Sequence, residues 1–133
     1  MKNTLKVVVK QSIIIKIIFL FLIQSCTRIV PINQLTFNNC RVFLNDRLFS
    51  GNYELKKDKK YILSKVVEGK LIAEKIYVDE LLRMEKKYDS CGSGTQKTFD
   101  LKGKIISEGR FQSNRKVGDW KYFISDSIYY VKF

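Results

Sequence analysis

The sequence predicts an all-β domain of successive antiparallel hairpins behind an N-terminal leader, and three observations carry that expectation. From Val42 onward, short runs rich in β-branched and aromatic residues recur, each bounded by Gly, Asn, Asp or Ser, which is the strand-and-turn signature. The segment Gly69-Lys70-Leu71-Ile72-Ala73-Glu74-Lys75-Ile76-Tyr77 returns as Gly103-Lys104-Ile105-Ile106-Ser107-Glu108-Gly109-Arg110-Phe111, with Gly, Lys and Glu in the same places. Only Asp79 to Lys87 is built from good helix formers, and it coincides with a fainter copy of that segment.

The leader comes first. Met1 to Lys16 holds Lys2, Lys6, Lys10 and Lys16 and no acidic residue, Ile17 to Ile23 is purely apolar, and Gln24-Ser25-Cys26 follows at once. A positive n-region, a brief h-region and a small residue before the cut mark a secretory signal peptide. This divides the chain into a signal peptide over residues 1–25, a tether over 26–41 extended around Pro31, and a β domain over 42–133. An uncleaved transmembrane helix is one rival. Spanning a bilayer takes about 20 apolar residues; Ile13 to Ile23 offers eleven, interrupted by Lys16, and a charge at that depth costs ~2.5–3.5 kcal/mol. A signal peptide cut elsewhere, with Cys26 incidental, is the other. Ile23-Gln24-Ser25-Cys26 resembles the lipobox of bacterial lipoproteins. That resemblance implies a diacylglycerol on the Cys26 sulfur, cleavage just before it, and a membrane partner reached through the lipid. Thr27-Arg28 is not an acidic retention pattern, so the domain is expected to face the periplasm from the outer membrane.

Residues 26–133 keep 21 of the 25 Lys+Arg and all 13 Asp+Glu, a formal charge of +8. A basic balance fits an anionic partner such as lipid headgroups or acidic polysaccharide. The bland reading is composition rich in Ile, Lys, Asn and Tyr, with charges scattered singly outside Lys56-Lys57-Asp58-Lys59-Lys60. That run reads as a solvated turn. Nucleic acid is not expected as a partner of an envelope protein.

With Cys26 lipidated, Cys40 and Cys91 remain, in a compartment where disulfides persist. The chain has no histidine and no C-x-x-C, so neither a zinc site nor any cofactor is expected. A Cys40–Cys91 bridge would close a loop of about 50 residues, worth roughly 4 kcal/mol on chain-entropy grounds. Two unpaired thiols are the alternative.

Strands are expected at Val42 to Phe49, Tyr61 to Val67, Leu71 to Tyr77, Ile105 to Phe111, Trp120 to Ile124 and Ile128 to Phe133. Ser125-Asp126-Ser127 joins the last two, and Ser90 to Thr95 reads as a flexible loop. A weaker copy of the repeated segment sits at Asp46 to Tyr53, another at Asp79 to Tyr88. Starts at 46, 69, 79 and 103 lie close to multiples of half a 23-residue unit. Repeats of 20 to 50 residues mean stacked supersecondary units, here one hairpin each, so Asp79 to Lys87 is read as a strand.

Asp100 to Phe111, followed by Lys116-Val117-Gly118-Asp119-Trp120-Lys121-Tyr122-Phe123, resembles the MORN-repeat variant of bacterial envelope proteins. That variant runs Asn-Gly-Lys-Leu, then Glu-Gly-aromatic, then Gly-x-Trp-x-aromatic. The motif residues here are Gly103, Glu108, Gly109, Phe111, Gly118, Trp120 and Tyr122. The close match covers about 25 residues, and looser copies reach back to Asp46. The resemblance implies an open, single-layered antiparallel sheet of successive hairpins, and no catalytic residues travel with the motif. Arg115 stands where the turn usually has Gly, and the Ser90–Thr95 loop is expected to interrupt the array.

Side chains alternate between the faces of a strand. Ile105, Ser107, Gly109 and Phe111 therefore share one face, opposite Ile106, Glu108 and Arg110, and Trp120, Tyr122 and Ile124 share a face in the next strand. Gly109 leaves room for a neighbouring ring to lie flat on the backbone. Phe111, Trp120 and Tyr122 then form an aromatic ladder that is either core or a groove for a glycan or peptide. Core is preferred, since large apolar residues are normally buried.

Catalytic residues are not expected. No histidine can act as base, Gly92-Ser93-Gly94 is not a nucleophile elbow, and no Gly-rich phosphate loop precedes a helix. Glu68, Glu74, Glu108 and Asp119 could be imagined as an acid–base pair, but Glu74 and Glu108 occupy equivalent repeat positions, which points to a solvated role. The chain is thus read as not an enzyme. The expected function is a lipid-anchored binding or scaffold module that meets another envelope protein through its sheet surface. The alternative, which some members of the resembled family suggest, is an immunity or antitoxin-like protein that sequesters a toxin.

Overall fold

A computed structural model describes residues 29–133; the signal peptide expected at 1–25 and the lipidation site at Cys26 lie outside the described residues. The elements are β1 (Ile29–Pro31), a 3-10 turn (Ile32–Gln34), β2 (Leu35–Asn38), β3 (Arg41–Leu44), β4 (Arg47–Leu48), β5 (Gly51–Lys57), β6 (Lys60–Val67), β7 (Lys70–Val78), β8 (Leu81–Ser90), β9 (Ser93–Phe99), β10 (Ile105–Gln112), β11 (Arg115–Ile124) and β12 (Ser127–Lys132). From β5 to β12 each strand pairs antiparallel with the next, and β1 adds to β5 in parallel, giving an open nine-stranded sheet in the order β1-β5-β6-β7-β8-β9-β10-β11-β12. The expected open sheet of successive hairpins is what forms. A three-stranded sheet, β2-β3-β4, packs on one end of it.

Turn chemistry sets this order. Asn39-Cys40, Asn45-Asp46, Glu68-Gly69, Asp79-Glu80 and Ser113-Asn114 each place two consecutive residues at positive φ between paired strands. Such links match the right-handed twist of the strands they join. The helix formers after Asp79 follow one of these turns and become β8, flanked on both sides by paired strands. Helix propensity is a weak prior that tertiary context overrides.

Three expected boundaries are corrected. The tether ends sooner than residue 41: Val30 is 3% exposed and packs with Leu35, Val42, Phe49, Tyr53 and Val66 in the main hydrophobic cluster, so from Ile29 the chain belongs to the domain. Val42 to Phe49 is not one strand, because Asn45-Asp46 turns the chain between β3 and β4. The Asp46–Tyr53 copy accordingly spans two sheets. Ser90 to Thr95 is a hairpin, with β8 and β9 pairing from Met84↔Thr98 to Ser90↔Ser93. The array is not interrupted there, and Arg115 pairs with Gln112 just beyond the Ser113-Asn114 turn.

Register assigns the faces. Tyr53, Ser64, Glu74, Lys86, Gln96 and Gly109 lie opposite one another on consecutive strands. One residue along, Glu85, Lys97, Glu108 and Lys121 form the corresponding row of the other face. The first face carries the core: Tyr53, Ser64, Val66, Ser107, Phe111 and Trp120 are all buried there.

Candidate functional site

The motif residues build a ring-lined patch at the β10–β12 end. Trp120 is 0% exposed and donates its indole Nε1–H to the Arg110 carbonyl, at 2.8 Å. It lies flat on Gly109: a β-carbon there would stand 2.6 Å from the indole Cε2. The predicted space above Gly109 is therefore filled by the ring of the next strand. Phe111, 1% exposed, meets Tyr88 edge-on at 5.3 Å, and Trp120 meets Phe133 at 6.2 Å. The Lys116 ammonium sits over Trp120, Tyr122 and Phe133 at 4.5, 5.0 and 5.2 Å and donates to the Tyr122 hydroxyl at 2.7 Å. The rings thus pair through Tyr88, Phe133 and Lys116 rather than as a ladder of Phe111, Trp120 and Tyr122 alone. Gly118, at φ 67°, exchanges both backbone hydrogen bonds with Phe133. The pairing of β10 with β11 shifts between Glu108 and Arg110, but by two residues, so the faces are kept and Lys116 shares the face of Trp120. Strict alternation from Trp120 would also give that face, yet nothing in the sequence singled Lys116 out. Gly103 sits in the turn before β10, its N–H donating to the Asp100 carbonyl at 3.2 Å. Asp100 Oδ1 accepts the Lys102 and Lys104 N–H groups, which hold its carboxyl below the usual range.

Glu108 faces water. It pairs with Lys97 at 3.7 Å and Lys121 at 3.5 Å, and Lys75 with Glu85 at 3.7 Å, so charge alternates along one row of the outer face. Exposed pairs of this kind contribute ~0–1 kcal/mol each. Glu74 does not share this role, although the repeat equates the two. It lies on the inner face, where Tyr88 donates to Oε2 at 2.5 Å and Ser64 to Oε1 at 3.4 Å. Three register shifts of one residue lie between them, at Ile76/Tyr77, Tyr88/Ser90 and Ile105/Ser107. Each such slip moves a side chain to the other face, and an odd number leaves the two glutamates on opposite faces.

Burial pushes the Tyr88 phenol far above the usual tyrosine range, and both the hydrogen bond to Glu74 and that carboxylate's charge push it the same way. Burial also raises Tyr53, with the Ser64 hydroxyl opposing. A raised phenol contributes stability in full below the unfolded tyrosine value of about 10 and loses it as pH climbs toward the folded value. The melting temperature is expected to fall above about pH 10, and Tyr88→Phe to make that alkaline limb shallower. Melts of both proteins from neutral pH upward check this; identical limbs would refute the assignment.

Where the small sheet overhangs the large one, a cleft of about 640 Å³ opens, lined by Phe37, Arg41, Tyr53, Lys70, Tyr88 and Asp89. Cys40, in the β2–β3 turn, and Cys91, in the β8–β9 turn, are bonded to each other within its lining, with a Cα–Cα distance of 5.8 Å. Sequence reasoning named the two cysteines but not the cleft, because Phe37 falls in the segment read as tether and Tyr53 at the end of a weaker repeat copy.

At the opposite end of the sheet, β12 is exposed along its whole length and, among the described residues, pairs on one side only, with β11. Ile128, Tyr129, Tyr130, Val131 and Phe133 are each between 42% and 66% exposed.

No family model and no curated protein matches this chain. Two crystal structures of TarM match its fold: one of TarM, and one of a point mutant of S. aureus TarM in complex with fondaparinux, α-GlcNAc-glycerol and UDP. Each has a TM-score of 0.51 at 13% identity and covers 74% of this chain and 21% of that one. The chain thus spans about a fifth of TarM's length. The expectation that this chain is not an enzyme is corrected by the comparison, because the matching sheet lies within a glycosyltransferase. Lack of a histidine base or a nucleophile elbow does not set such a sheet apart from enzymes. At 13% identity the likeness concerns the fold, an open antiparallel sheet that occurs as part of a larger protein.

Proposed function

We propose that this chain is a lipid-anchored cell-envelope protein that binds another envelope protein through its sheet, by accepting a strand at the β12 edge. The observation that carries the reading is the edge itself: a six-residue strand with one charge, Lys132, and four exposed apolar or aromatic residues. Edge strands present unpaired N–H and C=O groups, and proteins normally blunt them with charge, proline or a bulge. An uncovered apolar edge is the substrate of β-augmentation. Gly118 and Phe133 exchange both hydrogen bonds, so by alternation along an antiparallel pair the backbone groups of Ile128, Tyr130 and Lys132 point away from β11. Anchoring at Cys26 would tie the chain to the membrane by the β1 end of the sheet, and β12 is the edge at the other end.

A photocrosslinking residue at Tyr129, in cells, tests the proposal against two substitutions. Cys26→Ser should abolish palmitate labelling and the crosslinked product. Tyr130→Pro should abolish the product alone, because it removes an outward N–H while sparing the β11 ladder, and should leave the melt within a few degrees of wild type. A crosslink that survives Tyr130→Pro would exclude the edge. Palmitate labelling that survives Cys26→Ser would exclude the anchor.

A further inference from the structure

We infer that the cleft lined by the Cys40–Cys91 bond is a second binding site, distinct from the edge strand, and that its ligand is an acidic oligosaccharide. Its volume, about 640 Å³, falls within the range of small-molecule sites. Phe37 gives it an open apolar platform: the ring is 53% exposed on β2 and meets Tyr53 edge-on at 5.7 Å. Tyr53 and Tyr88 add two more rings to the lining. A ligand for these walls needs a flat apolar face, which the C–H face of a pyranose supplies.

Charge selects the acidic members of that class. Arg41 and Lys70 line the cleft, and among the described residues neither forms an ion pair. Asp89 also lines it, but its carboxylate is already paired with Arg110 at 2.6 Å. The cleft therefore presents two cations without a matching anion, and an occupant bearing carboxylate or another acidic group completes it. An extended peptide fits the floor less well. β7 and β8 are interior strands whose backbone groups are used on both sides, so the floor offers side chains rather than an open ladder.

Titration of the purified full-length protein in detergent with tetragalacturonate tests this, with cellotetraose as a neutral sugar of equal length and tetraglutamate as a non-sugar tetra-anion. Saturable binding of tetragalacturonate is expected, with both controls at least tenfold weaker. Phe37→Ala should weaken it about tenfold, the scale of one lost ring contact. Lys70→Gln should weaken it severalfold and flatten its dependence on salt. Both side chains are exposed, so melts close to wild type should accompany the losses. Absence of saturable binding, or an affinity indifferent to both substitutions, would overturn the site. Tetraglutamate binding as tightly would overturn the sugar, and cellotetraose binding as tightly would overturn the charge argument.

Discussion

Trp120→Ala is expected to lower the melting midpoint of this domain by tens of degrees. The indole is wholly buried, lies on Gly109 and donates its only N–H to the Arg110 carbonyl. Truncation removes the largest buried side chain, leaves a cavity against β10, and strands a carbonyl. Large aromatic truncations cost ~3–5 kcal/mol, against a total stability of about 5–15 kcal/mol for a domain. Each kcal/mol moves the midpoint by about 4–8 °C in chains of this size, so the melt should shift by tens of degrees or vanish. Gly109→Ala approaches the same contact from the other strand: its methyl would overlap the indole, and overpacking costs ~1–3 kcal/mol. Tyr129→Ala, at a side chain 53% exposed, should change the midpoint little. A cooperative Trp120→Ala transition within a few degrees of wild type would sink the core assignment and return the ring to a binding groove.

The parts of this architecture that were legible share one property. β6, β7, β10, β11 and β12 contain runs of β-branched and aromatic residues long enough to stand out between turns. β9, Ser93 to Phe99, does not: it is mostly small and polar, and it is a strand because β8 and β10 supply ladders on both sides. Val30 was illegible for a related reason. Its burial depends on parallel pairing with Tyr53, a long-range contact that a local pattern does not encode. The alternation of faces was legible within β10 and across to Trp120, which is why Gly109 could be matched to a ring. It failed where one-residue slips intervene, and Glu74 and Glu108 are the clearest case: identical repeat positions on opposite faces, one under the Tyr88 and Ser64 hydroxyls and the other among lysines. The cleft needs two sheets to exist, and the sequence announced only one.

Removing the Cys40–Cys91 bond is expected to have the second-largest effect, and by a different route. The bond spans 51 residues of chain, and constraining a loop of that length in the unfolded state is worth about 4 kcal/mol. Thiol counting on the unfolded, unreduced protein should find neither Cys40 nor Cys91 free. The Cys40→Ser/Cys91→Ser pair should then lower the denaturant midpoint substantially. Native tryptophan fluorescence should hardly change, because Trp120 is built from β10–β12 contacts that do not involve the bond. The small sheet has other attachments: Val42, Phe49 and Gly69 are joined by backbone hydrogen bonds, Val42 N–H to the Gly69 carbonyl at 2.8 Å, Phe49 N–H to the Val42 carbonyl at 2.9 Å and Gly69 N–H to the Phe49 carbonyl at 2.7 Å. Leu35, Val42 and Phe49 are also buried against the main sheet. The double variant should therefore keep a cooperative transition, with the cleft wall less firmly held. Two free thiols in the wild-type chain, or an unchanged midpoint in the double variant, would show that the cleft is closed by packing alone and that the bond contributes nothing to the fold.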